Sequence, residues 1–218
     1  MGKITTWIMI LLCVASLVFQ GCATYRDKAF VKQDMMSLSP LKVVRHETPS
    51  FNKLTPGGTA GGLLLGGVIG LAISAELSGK KLREKIEIPD FGQLVMDKFV
   101  ARAEKEILNW PAMDIEQKPL DSEYSHKSGN TLEFKLPYNP YLTFEKGGCF
   151  GSVTTVTLKN TNGNILWKKT FAYLSKTYDR QRKIEEFEAD SGKLLKEEMN
   201  FAAEETVSDF IKHFKGEK

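Results

Sequence analysis

Between Leu54 and Ala75 the chain runs for 22 residues without a charged side chain. As an α-helix this run would extend about 33 Å, enough to cross a hydrocarbon core of about 30 Å. Its small residues keep a four-residue step: Gly58, Gly62, Gly66 and Gly70, then Ser74 and Ser78. At that spacing they share one slowly drifting stripe of a helix, along which a second backbone can approach closely. Leu64, Leu65, Val68, Leu71 and Ile73 spread over the remaining surface. Seven of the 22 residues are glycine, so the helix in water costs about 6–7 kcal/mol relative to alanine. A lone solvated helix is therefore disfavoured. Three states remain open: a helix in lipid or against another copy, a helix packed on the chain's own domain, or a flexible linker.

The first 21 residues carry one charge, Lys3. Ile4 to Phe19 is apolar apart from Thr5, Thr6 and Ser16. Such a stretch is long enough to engage an export machinery and short for a stable span. It ends in Phe19-Gln20-Gly21-Cys22. The small Gly21 before a cysteine resembles a bacterial lipobox, with Phe19 where that pattern usually has leucine. The resemblance implies a signal peptide over 1–21, cleavage before Cys22 and lipidation of Cys22, with 22–40 as a lipidated tether. Several acyl chains, each CH2 contributing about 0.8 kcal/mol on burial, make a stable anchor. Ala23 and Thr24 are not the aspartate signal that holds such lipoproteins in the inner membrane. Resemblance to diderm lipoproteins therefore implies the outer membrane, with the domain facing the periplasm. An uncleaved signal anchor is the other reading of the same stretch. The ladder over 54–79 in turn resembles the glycine zippers of bacterial envelope lipoproteins, which implies self-association through that segment.

Charge narrows the partners. The sequence has 30 Lys+Arg against 27 Asp+Glu, a formal +3. That balance excludes a polybasic nucleic-acid binder and a simple electrostatic attachment to membranes. The three cysteines make neither a disulfide framework nor zinc-ligand spacing.

The remainder reads as a folded unit. Leu41 to His46, within 41–53, is a first strand. Residues 80–218 form the main periplasmic domain. Asp90, with Gln93 three residues on, is an N-cap. Phe91, Val95, Phe99, Ala103 and Ile107 then mark the apolar face of a helix that ends before Pro111. Met113–Lys118 and Leu132-Glu133-Phe134-Lys135-Leu136 are further strands. Phe150–Lys159 and Ile165–Tyr173, joined by the turn at Asn160–Asn164, form an antiparallel hairpin. A last helix follows Asp190-Ser191-Gly192. Leu195, Met199, Ala202, Ala203, Val207, Phe210 and Phe214 face inward, with Glu197, Glu198, Glu204, Glu205 and Asp209 outward. The expected fold is α+β: a mainly antiparallel sheet with two amphipathic helices on one face, plus the Gly-rich apolar segment.

Chemistry is sparse. His46, His126 and His213 are far apart in sequence and lack ligand spacing, so no metal is expected. Cys149, in a Gly-rich turn before a strand, reads as a small strand-start residue. A nucleophile there would need His126 or His46 as base. Glu185, Glu186 and Glu188 read as a solvated face, and Arg180, Arg182 and Lys183 as a small basic surface cluster near Tyr178. No cofactor is expected. The element order loosely resembles accessory lipoproteins of envelope assembly. The sequence thus predicts a non-enzymatic, lipid-anchored envelope protein that binds an envelope partner. The alternative is a membrane-active oligomer, a pore or bundle built by 54–79.

Overall fold

The start of the first helix shows how local chemistry sets the fold. Asp90 adopts extended backbone and accepts the Gln93 backbone N–H at 3.1 Å, so α1 runs Phe91–Glu106. The Gln93 side chain donates forward to Asp97. The computed structural model describes residues 38, 40–46, 51–54, 77–107, 110–118, 129–143 and 148–216. The 1–21 segment, Cys22, nearly all of the tether, Gly58, Gly62, Gly66, Gly70, Ser74 and His126 lie outside the described residues.

Among the described residues seven strands form one sheet: β1 (Leu41–His46), β2 (Asn52–Lys53), β3 (Met113–Lys118), β4 (Asn130–Lys135), β5 (Tyr141–Thr143), β6 (Cys149–Lys159) and β7 (Ile165–Leu174). The predicted hairpin is present: β6 pairs antiparallel with β7. Asn160 closes the turn, its side chain accepting the backbone N–H groups of Asn162 and Asn164. The sheet as a whole is mixed rather than mainly antiparallel. β1 lies between β3 and β4 and is parallel to both. The reason is the connection: α1 lies in sequence between β1 and β3, so β3 starts again from the end of the sheet where β1 started.

Two chain stretches break at the same level. β1 gives way to β2 and β4 to β5, yet the pairing offset stays constant. Leu41 faces Asn130, and Asn52 faces Tyr141, both 89 residues apart. Against β6 the break inserts two residues: Lys135 pairs with Thr155, but Tyr141 pairs with Gly151. A slip of two keeps every side chain on its own face. Pro137 and Pro140, which cannot donate to a ladder, occupy this break, and Tyr138 between them is 67% exposed.

One face of the sheet carries Leu41, Val43, Leu132, Phe134, Phe150, Val156, Leu158, Trp167, Phe171 and Tyr173, all buried. The two long helices, α1 and α3 (Lys193–Lys215), cover it. Phe99 of α1 meets Phe134 at 4.9 Å and Phe210 of α3 at 5.1 Å between ring centres. Arg102 ties the helices together, donating to Glu106, Glu204 and Ser208. Between β7 and α3 come a 3-10 turn (Ser175–Tyr178), the short α2 (Ile184–Glu188) and a second 3-10 turn (Asp190–Gly192).

Glu198 departs from the predicted outward face. It is 2% exposed, accepts Tyr173 Oη at 2.5 Å and Arg180 Nε at 2.7 Å, and so has two charge-satisfying partners. Arg180, read as part of a plain basic surface, also lies 4.2 Å from the Phe201 ring centre. Burial and the adjacent Glu198 carboxylate push the Tyr173 hydroxyl well above the usual tyrosine range. The clasp holds the chain after β7 against α3.

Candidate functional site

A cleft of about 130 Å3 opens where four sequence-remote segments meet: Phe51 before β2, Arg83 with the Ile88-Pro89-Asp90-Phe91 entry to α1, Pro140 before β5, and Met199 of α3. Its aromatic wall is stiff. Phe51 stacks on the fully buried Phe150 at 6.3 Å, and Phe91 meets the same ring edge-on at 5.6 Å. Pro89 and Pro140 fix the backbone on two further sides.

Asp90 does two jobs at the rim. One carboxylate oxygen caps α1, and the other accepts Arg45 Nη1 at 2.5 Å. Arg45 projects from β1 into the helix-covered face and is 3% exposed. The pair cancels, so the rim's remaining charge is that of the exposed Arg83. Arg83 belongs to helical residues 77–85, among which Ser78 is half-buried and Gly79 buried. A Cβ on Gly79 would stand 1.7 Å from the Phe51 carbonyl oxygen. Gly79 thus lets this segment lie directly on the backbone that carries Phe51. Gly79→Ala should therefore reverse the usual helical gain of about 1 kcal/mol. We expect a loss of about 1–3 kcal/mol in urea unfolding as the segment is pushed off Phe51; a gain would show that the contact yields freely.

The opposite sheet face is polar. His46 Nε2 lies 3.1 Å from Glu133 Oε1, and Lys159 Nζ lies 2.6 Å from Glu133 Oε2. Lys42 pairs with Glu116, and the hydroxyls of Thr155 and Thr170 meet at 3.1 Å. Burial alone raises the Glu133 carboxyl, but hydrogen bonds from His46 and Lys159, with the Lys159 charge, outweigh it and hold the group at about 2. Burial and neighbouring Lys159 depress the Lys168 ammonium.

This gives a pH prediction. The folded Glu133 titrates below its ordinary value of 4.5. Its stabilisation is complete above about pH 4.5 and is lost as pH falls toward 2. The span corresponds to about 3 kcal/mol. Unfolding midpoints between pH 2 and 6 should show this acid limb in the wild type. Glu133→Gln should be less stable at pH 6 and lack that part of the slope.

The other predicted residues fall as follows. Cys149 begins β6, buried, with Sγ 3.8 Å from the Phe150 carbonyl oxygen. His213 sits beside Trp167, ring centres 5.9 Å apart. Glu185 and Glu186 are exposed, while Glu188 pairs with Lys53 and Lys85. Among the described residues no group of three His, Cys, Asp or Glu is placed to hold a metal ion. No helix of the described residues is long and apolar enough to cross a membrane. The cleft itself had two local sequence signals, the Pro89-Asp90 helix start and the inward helical face that carries Met199; Phe51 and Pro140 had none.

Fold and site together define an α+β domain with one helix-covered apolar face, one polar face and a cleft of mixed lining at the break in its sheet. No family model matches the chain, and no curated protein matches it. Among solved structures, it is similar to a protein from Helicobacter pylori described as a neuraminyllactose-binding hemagglutinin homolog. The two share 10% identity over 82% of this chain and 88% of that one, with a TM-score of 0.30.

Proposed function

We propose that this chain is a non-enzymatic, lipid-anchored protein of the outer membrane whose domain faces the periplasm and binds an envelope protein. The observation that carries the binding role is the preformed cleft, whose walls are stiffened by stacked rings and two prolines. Preorganised concavities favour association because little order must be gained on binding. The groups best suited to acid–base work are engaged in pairs: Glu133 with His46 and Lys159, Glu198 with Tyr173 and Arg180. The anchor rests on Gly21-Cys22 behind the apolar stretch 4–19.

Labelled palmitate tests the anchor. Wild type should incorporate it, whereas Cys22→Ala should be unlabelled. Label on the variant, or none on the wild type, refutes lipidation. For the partner, a photo-crosslinking residue in place of Ile88 should yield one discrete envelope-protein adduct in living cells. Absence of any protein adduct would refute the binding role.

A further inference from the structure

We propose that the cleft receives a single apolar side chain, aromatic or large aliphatic, from a partner segment in which that residue is flanked by carboxylates. This rests on the reading of the domain as a binding module and specifies what it binds. Three observations carry it.

Size is the first. About 130 Å3 is well below the roughly 300–1,000 Å3 of sites for whole small molecules. It is close to the roughly 150 Å3 apolar cavity that admits one benzene ring. The second is the lining. Phe51, Ile88, Pro89, Phe91, Pro140 and Met199 supply its carbon beside the polar groups of Arg83 and Asp90, and the rings of Phe51 and Phe91 are braced by Phe150. Such a pocket suits one anchor residue, the usual centre of a protein interface. Charge at the rim is the third. Asp90 is answered by Arg45. Arg83 is exposed, and Lys80, three residues earlier on the same helical segment, is exposed beside it. Among the described residues neither has a carboxylate partner, so a ligand can answer both. A lipid would also meet these cations, but a long acyl chain does not fit a cavity of one-ring size.

The test uses the full-length protein in neutral detergent micelles and fluorine-labelled peptides followed by NMR. One seven-residue peptide has a central fluorophenylalanine between two glutamates. A second replaces the glutamates with lysines. A third, labelled at its terminus, replaces the central residue with alanine. The acidic aromatic peptide should bind about tenfold tighter than either, a difference of about 1.4 kcal/mol. Lys80→Glu combined with Arg83→Glu should invert the charge preference. Both residues are exposed, so the fold is retained. Ile88→Trp, filling the cleft from its rim, should abolish binding of all peptides. Equal binding of acidic and basic peptides, or of alanine and aromatic peptides, overturns the proposal. So does binding to phosphatidylglycerol vesicles that depends on Arg83 while no peptide binds, which would mark a lipid surface. The two readings fail separately. Peptide preference without a cellular adduct at position 88 sinks the envelope partner and leaves the cleft chemistry. An adduct without charge preference does the reverse.

Discussion

Asp90→Ala is expected to lower the stability of the domain by about 2–4 kcal/mol, because two losses coincide. The N-cap of α1 goes, typically worth about 0.5–2 kcal/mol. The Arg45 guanidinium, 3% exposed, is also left without its carboxylate inside the helix-covered face. Stripping one partner from a fully buried pair costs about 3–5 kcal/mol, and here the loss is smaller because the Asp90 side chain is 37% exposed, so water answers part of the guanidinium's need. Asp90→Asn separates the two effects. The amide oxygen still accepts the Gln93 N–H, but the charge is gone, so only the cap's share should return. Urea unfolding followed by tryptophan fluorescence measures both variants. Losses below about 1 kcal/mol in both would mean that Arg45 relaxes into water and that the pair does not hold β1 to α1.

The second large effect is expected at Trp167. It is fully buried and packs against Phe171, Phe210, His213 and Phe214, with ring centres 5.5–6.4 Å away. Trp167→Ala empties the junction of β7 with the C-terminal half of α3 and should cost about 3–5 kcal/mol. Trp167→Phe retains part of the ring contact and should lose less. Circular dichroism is the suitable readout, since the substitution removes a fluorophore. A small loss for the alanine variant would mean that α3 collapses into the space.

These positions also show what local pattern can and cannot reveal. The Asp90 cap, the four-residue step from Phe91 to Ile107, and the Asn160–Asn164 turn each act within a few residues. Helix α1 and the hairpin β6–β7 were therefore legible. Parallel pairing of β1 with β3 and β4 was not, because parallel neighbours are joined by long crossovers that leave no turn signature. Glu198 looked solvent-facing on its helical face, since its answering groups, Tyr173 and Arg180, are 25 and 18 residues away. His46 likewise meets Glu133 across 87 residues. The cleft was the least legible feature. Its residues come from three separate stretches and α3, and only the register of the broken strands brings Phe51 and Pro140 to the same level.

That break has a mechanical meaning. Among the described strands, β6 alone pairs with both β4 and β5, so it acts as a splint across the fault between them. On one side of the fault lie β1 and β4, with Arg45 gripping Asp90. On the other lie β2 and β5, laced by Asn52 N–H to the Pro140 carbonyl at 2.9 Å and Leu54 N–H to the Leu142 carbonyl at 2.8 Å. The cleft spans the fault, with Asp90 on the first bank and Phe51 and Pro140 on the second. Shear of the β2–β5 pair against its neighbours is thereby a change in the width of the cleft, and whatever fills the cleft stiffens the sheet.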